Sequence, residues 1–224
     1  MNILGVIPAR KGSKRIKDKN IRNCLGKPLI QYAFDAGRKS KELDHLIVST
    51  DSELIIEMAL SCNVDAPFLR PDYISNDEAL MIDVVKHALE FYEKKNVKYD
   101  AVALLQPTSP LRKAVHIDEA LKIFRTSKPS SLVSVERVEE NKLMQIKDGE
   151  YIGFYNSMLT KKNNGPLFKR NGPAILVSKA SLIKENNFYG DAVLPYEMDS
   201  KYSIDINYEY EFLMAEAILQ SEKV

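Results

Sequence analysis

The chain reads as an α/β protein, a mostly parallel sheet with helices on both faces, and three observations carry that reading. Two runs, Ile3-Leu4-Gly5-Val6-Ile7 and Ala101-Val102-Ala103-Leu104-Leu105, are apolar without alternation, as strands buried on both faces are. Each run empties abruptly into polar residues. Between and after them, strand-like runs alternate with helical spacing, the rhythm of a wound parallel sheet. The 224 residues suffice for one large domain with a real core. We read a single domain over 1–224 with an excursion at about 137–170.

The first strand stops at Pro8 and gives way to Ala9-Arg10-Lys11-Gly12-Ser13-Lys14-Arg15. A basic loop at the carboxyl end of a buried strand sits where open α/β sheets bind ligands. Its chemistry suits a polyanion such as a triphosphate. Gly12 permits close backbone approach, Ser13 offers a hydroxyl and an amide, and Arg10, Lys11, Lys14, Arg15, Lys17 and Lys19 supply charge. Neither Gly-x-x-x-x-Gly-Lys-Ser/Thr nor Gly-x-Gly-x-x-Gly is present, so the loop is neither of those phosphate-binding turns. The competing reading is a solvated basic surface.

Gly26-Lys27-Pro28 breaks the chain before an amphipathic helix carrying Leu29, Ile30, Ala33 and Phe34. A strand follows at Leu46-Ile47-Val48 and closes at Ser49-Thr50-Asp51, and Ser52 is placed to cap a helix from Glu53 to Leu60. Val64 to Leu69 reads as a short strand. Asn76 or Asp77 is then expected to cap a helix from Glu78 to Lys94, with Leu80, Val84, Val85, Ala88, Leu89 and Tyr92 facing the core. After the second apolar strand comes Gln106-Pro107-Thr108-Ser109-Pro110-Leu111-Arg112. A two-proline turn bearing an amide and two hydroxyls suits a hydroxyl-rich sugar, and Arg112 suits a carboxylate or phosphate.

A helix is expected from Ile117 to Arg125 and a strand over Leu132-Val133-Ser134-Val135. The rhythm then lapses into the excursion, where Asp148-Gly149 signals a hairpin and Met144, Phe154, Tyr155, Met158 and Phe168 stand outside any core pattern. Ala174 to Val177 returns to strand, Ser178 to Glu185 reads as a short helix, and Tyr202 to Ile206 as a strand leading into a helix from Tyr208 to Gln220. Asp205 would then arrive at the same edge as the basic loop, as a magnesium ion bridging phosphates requires.

Lysine and arginine total 32 against 31 acidic residues, a balance unlike that of proteins built to coat nucleic acid or an anionic membrane. No run is long and apolar enough to span a bilayer and no signal peptide is evident, so a cytoplasmic protein is expected. Cys24 and Cys62 lack metal-ligand spacing and read as ordinary thiols. His45, His87 and His116 are scattered and read as structural or surface residues rather than catalytic ones.

As a string, Ile7 to Arg15 with Lys19-Asn20 resembles the signature of the acylneuraminate cytidylyltransferases, the CMP-sialic acid synthetases, including legionaminate and pseudaminate relatives. Ser49-Thr50-Asp51, Arg70-Pro71 before Asp83-Val84-Val85, Leu104 to Arg112, Asn171-Gly172 and Ser203-Ile204-Asp205-Ile206 are similar to further family blocks, in family order. The resemblance implies a Rossmann-like, GT-A-like nucleotidyltransferase sheet. It also implies an enzyme that activates a nonulosonic acid sugar with CTP, releasing pyrophosphate and giving a CMP-sugar for surface polysaccharide biosynthesis.

By the same resemblance Arg10, Lys19 and Asp205 are catalytic. Ala9, Arg10, Gly12, Ser13, Lys19 and Asn20 hold the triphosphate and ribose, while Arg70 and Ala79 face cytosine. Gln106, Thr108, Ser109, Arg112, Lys161 and Asn171 serve the sugar, and Asp205 with Asn207 holds Mg2+. Asp83 becomes a helper near the phosphates, and the excursion becomes a homodimer contact. Three departures stand out: Asn207 where the family usually has aspartate, lysines at Lys161-Lys162 where it tends to have arginine, and Pro173 after Asn171-Gly172. Activation of another acid sugar such as Kdo, a GT-A glycosyltransferase, and a non-catalytic sugar-nucleotide-binding homologue are the competing readings. The glycosyltransferase would commonly carry a mid-chain Asp-x-Asp, which is absent.

Overall fold

The computed structural model describes residues 1–138, 144–147, 150–154 and 166–222. In chain order the strands are β1 (Ile3–Ala9), β2 (Asn23–Cys24), β3 (Lys27–Pro28), β4 (His45–Thr50), β5 (Ala101–Leu104), β6 (Ser131–Val138), β7 (Met144–Lys147), β8 (Glu150–Phe154), β9 (Leu167–Arg170), β10 (Leu176–Lys179) and β11 (Val193–Glu197). The helices are α1 (Leu29–Lys39), α2 (Glu53–Ser61), α3 (Met81–Glu93), α4 (Ala114–Ser127), α5 (Ala180–Lys184) and α6 (Glu209–Ser221).

β1 is buried at every position and lies between β4 and β5, parallel to both. The main sheet runs β11-β6-β10-β5-β1-β4, with β9 also paired to β6. β10 is antiparallel to both its neighbours and β9 antiparallel to β6, so these two oppose the other five strands and the sheet is mostly parallel. One face is covered by α1, α2 and α4 through Phe34, Ile55, Leu121 and Phe124. The other is covered by α3 and α5 through Val85, Leu89 and Ile183. A smaller cluster joins Ile16 of the basic loop to Leu29 of α1 and Phe212 of α6. No helix of the described residues is long and apolar enough to cross a membrane.

Several boundaries differ from the sequence reading, each for a local reason. Residues 64–69 contribute only single bridges, Ile47 to Asp65 and Thr50 to Leu69, because Pro67 lacks the N–H a continued ladder needs. α3 begins at Met81 rather than Glu78, because Asn76 Oδ1 accepts from the Glu78 amide at 2.9 Å and closes a local turn that competes with helix. Tyr202 to Ile206 is not a strand; beyond the end of β5 it keeps one backbone bond across, Ile206 N to Thr108 O at 2.8 Å. β11 escaped notice because Pro195 interrupts it, and it sits at the sheet edge where proline is tolerated. β7 and β8 pair antiparallel with Lys147 opposite Glu150, while the turn residues Asp148 and Gly149 lie outside the described residues.

Candidate active site

β1 ends at Ala9 and delivers the basic loop, which is tied back on itself rather than left in solvent. Gly12 has φ +69 with open space where a Cβ would stand, a left-handed conformation that glycine takes without strain. Ser13 Oγ accepts from the Lys19 amide at 3.1 Å, and Asn20 Nδ2 donates to Arg10 O at 3.2 Å. From the neighbouring strand, Asp51 Oδ1 accepts from the Lys11 amide at 2.8 Å. Ile16 is buried and pins the loop's middle.

The loop forms one wall of a cleft of about 500 Å3, with Arg10, Ser13, Lys14, Arg15, Lys19 and Asn20 on it. Arg70, Asn76, Asp77 and Ala79 form a second wall, and Gln106 and Thr108 a third. Arg70 is buried, its Nε donating to Ser75 Oγ at 3.0 Å and its Nη2 lying 3.6 Å from Asp51 Oδ1. Burial lowers its pKa and Asp51 opposes that. Asp51 therefore orders both the loop and Arg70. Asp77 pairs with Arg10 at 2.5 Å and also with Lys14, whose hydrogen bonds hold its carboxyl below the ordinary range, Lys14 contributing most. It is the one acidic side chain lining the cleft among the described residues.

At the floor, Lys19 Nζ donates to Ile206 O at 2.6 Å; burial lowers its pKa, with Asp205 the main opposing charge. Asp205 Oδ2 accepts from Asn207 Nδ2 at 2.8 Å, and Asn207 Oδ1 accepts from Arg15 Nη1 at 3.1 Å. Asp205 does not itself line the cleft, and its side chain packs beside Gly172; its Oδ1 is buried without a hydrogen-bond partner among the described residues, a hard oxygen of the kind a divalent cation takes. Asn207 does not fit the role of direct ligand, because its oxygen is held by Arg15 and its nitrogen faces Asp205. No group of three His, Cys, Asp or Glu side chains suited to a metal occurs among the described residues. What fits is one carboxylate oxygen, completed by ligand oxygens and water as magnesium sites commonly are.

The remaining expected site residues divide. Gln106 and Thr108 reach the cleft, linked by Thr108 Oγ1 to Gln106 Oε1 at 3.3 Å. Ser109 and Arg112 do not line it; they are buried at 1% and 2% exposure. Arg112 Nη1 donates to Gln106 O at 3.1 Å and Ala174 O at 2.7 Å, so this side chain props the turn from behind. Asn171 is also buried, accepting from Ser134 Oγ at 2.6 Å and donating to Ser203 Oγ at 3.1 Å, which leaves it no reach toward a sugar. Ala9 is buried in β1, Gly12 borders a small hollow behind the loop instead of the cleft, and Asp83 does not line the cleft. Lys161 lies outside the described residues. Asp51 and Asp77 were missed as organisers of the site; the signal for Asp51 was a carboxylate ending the strand beside β1.

A family model described as cytidylyltransferase matches residues 4–220. The chain is 35% identical to an N-acylneuraminate cytidylyltransferase of Escherichia coli O18:K1:H7, over 98% of this chain and 52% of that protein. It is 32% identical to a CMP-N,N'-diacetyllegionaminic acid synthase of Legionella pneumophila, over 98% of this chain and 97% of that one. Over 62% of this chain and 60% of the relative it is 39% identical to a pseudaminic acid cytidylyltransferase of Campylobacter jejuni. The chain thus spans about half the length of the E. coli relative and nearly all of the Legionella one. Among solved structures, a CMP:2-keto-3-deoxy-manno-octonic acid synthetase complexed with CTP superposes with TM-score 0.73 over 99% of this chain and 100% of that one, at 14% identity. A 4-diphosphocytidyl-2C-methyl-D-erythritol synthase from Anaerococcus prevotii does so with TM-score 0.68 over 98% and 96%, at 13% identity. At these identities the likeness is one of fold, a Rossmann-like nucleotidyltransferase sheet.

Proposed function

The chain belongs to the cytidylyltransferase family, and from that premise we propose that it transfers the cytidylyl group of CTP to a nonulosonic, sialic-acid-like sugar, releasing pyrophosphate. The observation that carries the reading is a single cleft in which a tethered cationic loop faces the Gln106–Thr108 turn. One wall suits a polyphosphate and the other a polyhydroxylated acceptor. Relatives named for sialic, legionaminic and pseudaminic acids support that acceptor class, with the CMP-sugar serving surface glycan synthesis in the cytosol.

In this reading Arg10, Lys14 and the Ser13 hydroxyl receive the phosphates, and Arg70 with the backbone near Ala79 bounds the base. A sugar hydroxyl attacks the α-phosphorus as the bond to pyrophosphate breaks, and its proton passes to solvent. Little covalent chemistry is asked of the protein, so positioning and charge neutralisation carry the rate. Asp205 would hold magnesium, which when bound neutralises developing phosphate charge. Lys19 keeps the Asp205–Asn207 segment seated through Ile206 O. A homodimer is part of the proposal, suggested by the apolar residues of the 137–170 excursion; Tyr155 and Met158 lie outside the described residues, and Phe168 is exposed.

The test is CTP-dependent pyrophosphate release across sialic, legionaminic, pseudaminic and Kdo acids. Release with a nonulosonic acid is expected. CTP binding without release for any of the four would leave a binding protein, and selectivity for Kdo would move the acceptor.

A further inference from the structure

Asp77 stands in the cleft where an incoming phosphate would find Arg10 and Lys14. Its two carboxylate oxygens engage one cation each, Oδ1 on Arg10 Nη1 at 2.5 Å and Oδ2 on Lys14 Nζ. Asp77 itself is exposed and belongs to the short 75–80 connection between the 72–74 turn and α3, so nothing packs it rigidly in place. Asn76 fixes the connection's own turn through the Glu78 amide, which orients the segment without using Asp77. Asp77 therefore makes no hydrogen bond within its own segment, and the partners shown for it are cations of the opposite wall.

We infer that Asp77 is an internal competitor for the polyphosphate subsite, a carboxylate latch that CTP must displace from Arg10 and Lys14 and that reclaims them as pyrophosphate leaves. The inference rests on the polyphosphate reading of the cleft but not on the identity of the base or sugar. The chemistry is that of exchange. A carboxylate and a phosphate oxygen use the same N–H donors, and a fixed anion beside a bound polyphosphate repels it. With Asp77 at hand, the cations of the empty cleft stay paired and product is expelled by a neighbour already tethered. Because Lys14 and Asp77 are exposed and Arg10 is only half-buried, the latch is weak by construction, as ion pairs open to solvent are, and so suits an element that must open at every turnover. The carboxyl, held below its ordinary pKa, stays charged at neutral pH.

The experiment is titration calorimetry of pyrophosphate and of CTP against the wild-type chain, Asp77→Asn, Asp77→Ala and Glu78→Gln. Glu78 removes the same charge one residue away and does not line the cleft. Both Asp77 variants should bind pyrophosphate and CTP about five- to tenfold more tightly, the size that losing two solvent-accessible ion pairs allows, while Glu78→Gln stays at the wild-type value. Unchanged or weaker binding in the Asp77 variants would overturn the latch. So would an equal gain in Glu78→Gln, which would mean a diffuse field, or an absence of pyrophosphate binding in every protein. Pyrophosphate carries neither base nor sugar, so tighter pyrophosphate binding without sugar-dependent turnover would sink the transferase reading and leave the latch standing.

Discussion

Arg10 is the residue on which the cleft's chemistry turns, because it lies at the end of the fully buried strand β1, half-buried itself, with its backbone oxygen anchored by Asn20. Arg10→Ala should reduce kcat/KM for CTP by roughly 2–4 kcal/mol, the worth of a charge-assisted contact that strengthens in the transition state. The fold should be retained, since the side chain lies outside the core clusters. Circular dichroism with a pyrophosphate-release assay checks both halves, and near-normal turnover would return the loop to solvated surface. Asp205 and Asn207 make a second residue-scale case. Asp205→Asn should abolish binding of Mn2+ in the presence of CTP, followed by electron paramagnetic resonance. Asn207→Asp adds a carboxylate and should lower the Mn2+ needed for half-saturation. If Asp205→Asn leaves the Mn2+ titration unchanged, the metal is held elsewhere, with Asp77 the carboxylate in the cleft to test.

At the scale of elements, α4 links the core to the site. It begins at Ala114, immediately after the turn that carries Gln106 and Thr108, and its apolar stripe of Ile117, Ala120, Leu121 and Phe124 is buried against the sheet. Phe124 has no exposed surface, so Phe124→Ala should cost about 3–5 kcal/mol in urea unfolding through lost burial and a residual cavity. A loss under about 1 kcal/mol would mean that α4 is loosely docked, since even a deleted methyl group in a tight core is felt. α2 shows a legible helix start: Ser52 Oγ accepts from the Ile55 amide at 3.4 Å, as its position before an apolar run suggested. α3 shows the opposite, because its N-cap is Leu80 with no side-chain bond and the candidate cap, Asn76, is spent one turn earlier.

At the scale of the whole molecule, near-neutral charge and a locally cationic cleft are two aspects of one design. The 32 basic and 31 acidic residues nearly cancel over the chain, while Arg10, Lys14, Arg15, Lys19 and Arg70 converge on one cavity against a single lining carboxylate among the described residues. The proposed homodimer belongs to this scale. Light scattering at micromolar concentration should return a mass near twice the 25.4 kDa of the chain. A monomer would overturn the dimer proposal.

Several features were fixed by local pattern alone: the buried strand, the basic loop, the Gln106–Thr108 turn and the helix stripes. An unbroken apolar run, a 3.6-residue period and a glycine among cations each have one economical structural solution, so β1, β5 and the faces of α1, α3 and α4 could be read directly. Only the tertiary structure decided which polar side chains face the cleft. Arg112 and Asn171 look like ligand-binding residues in the string, yet they turn inward because carbonyls and hydroxyls far along the chain, Ala174 O, Ser134 Oγ and Ser203 Oγ, await them there. Asp51 read as the end of a strand and Asp77 as a candidate helix cap, yet the first fastens the loop at Lys11 and the second spans the cleft to Arg10 and Lys14. In a loop no period sets the direction of a side chain. Its partner does, and for these residues the partner lies on another element, which only the folded sheet brings within reach.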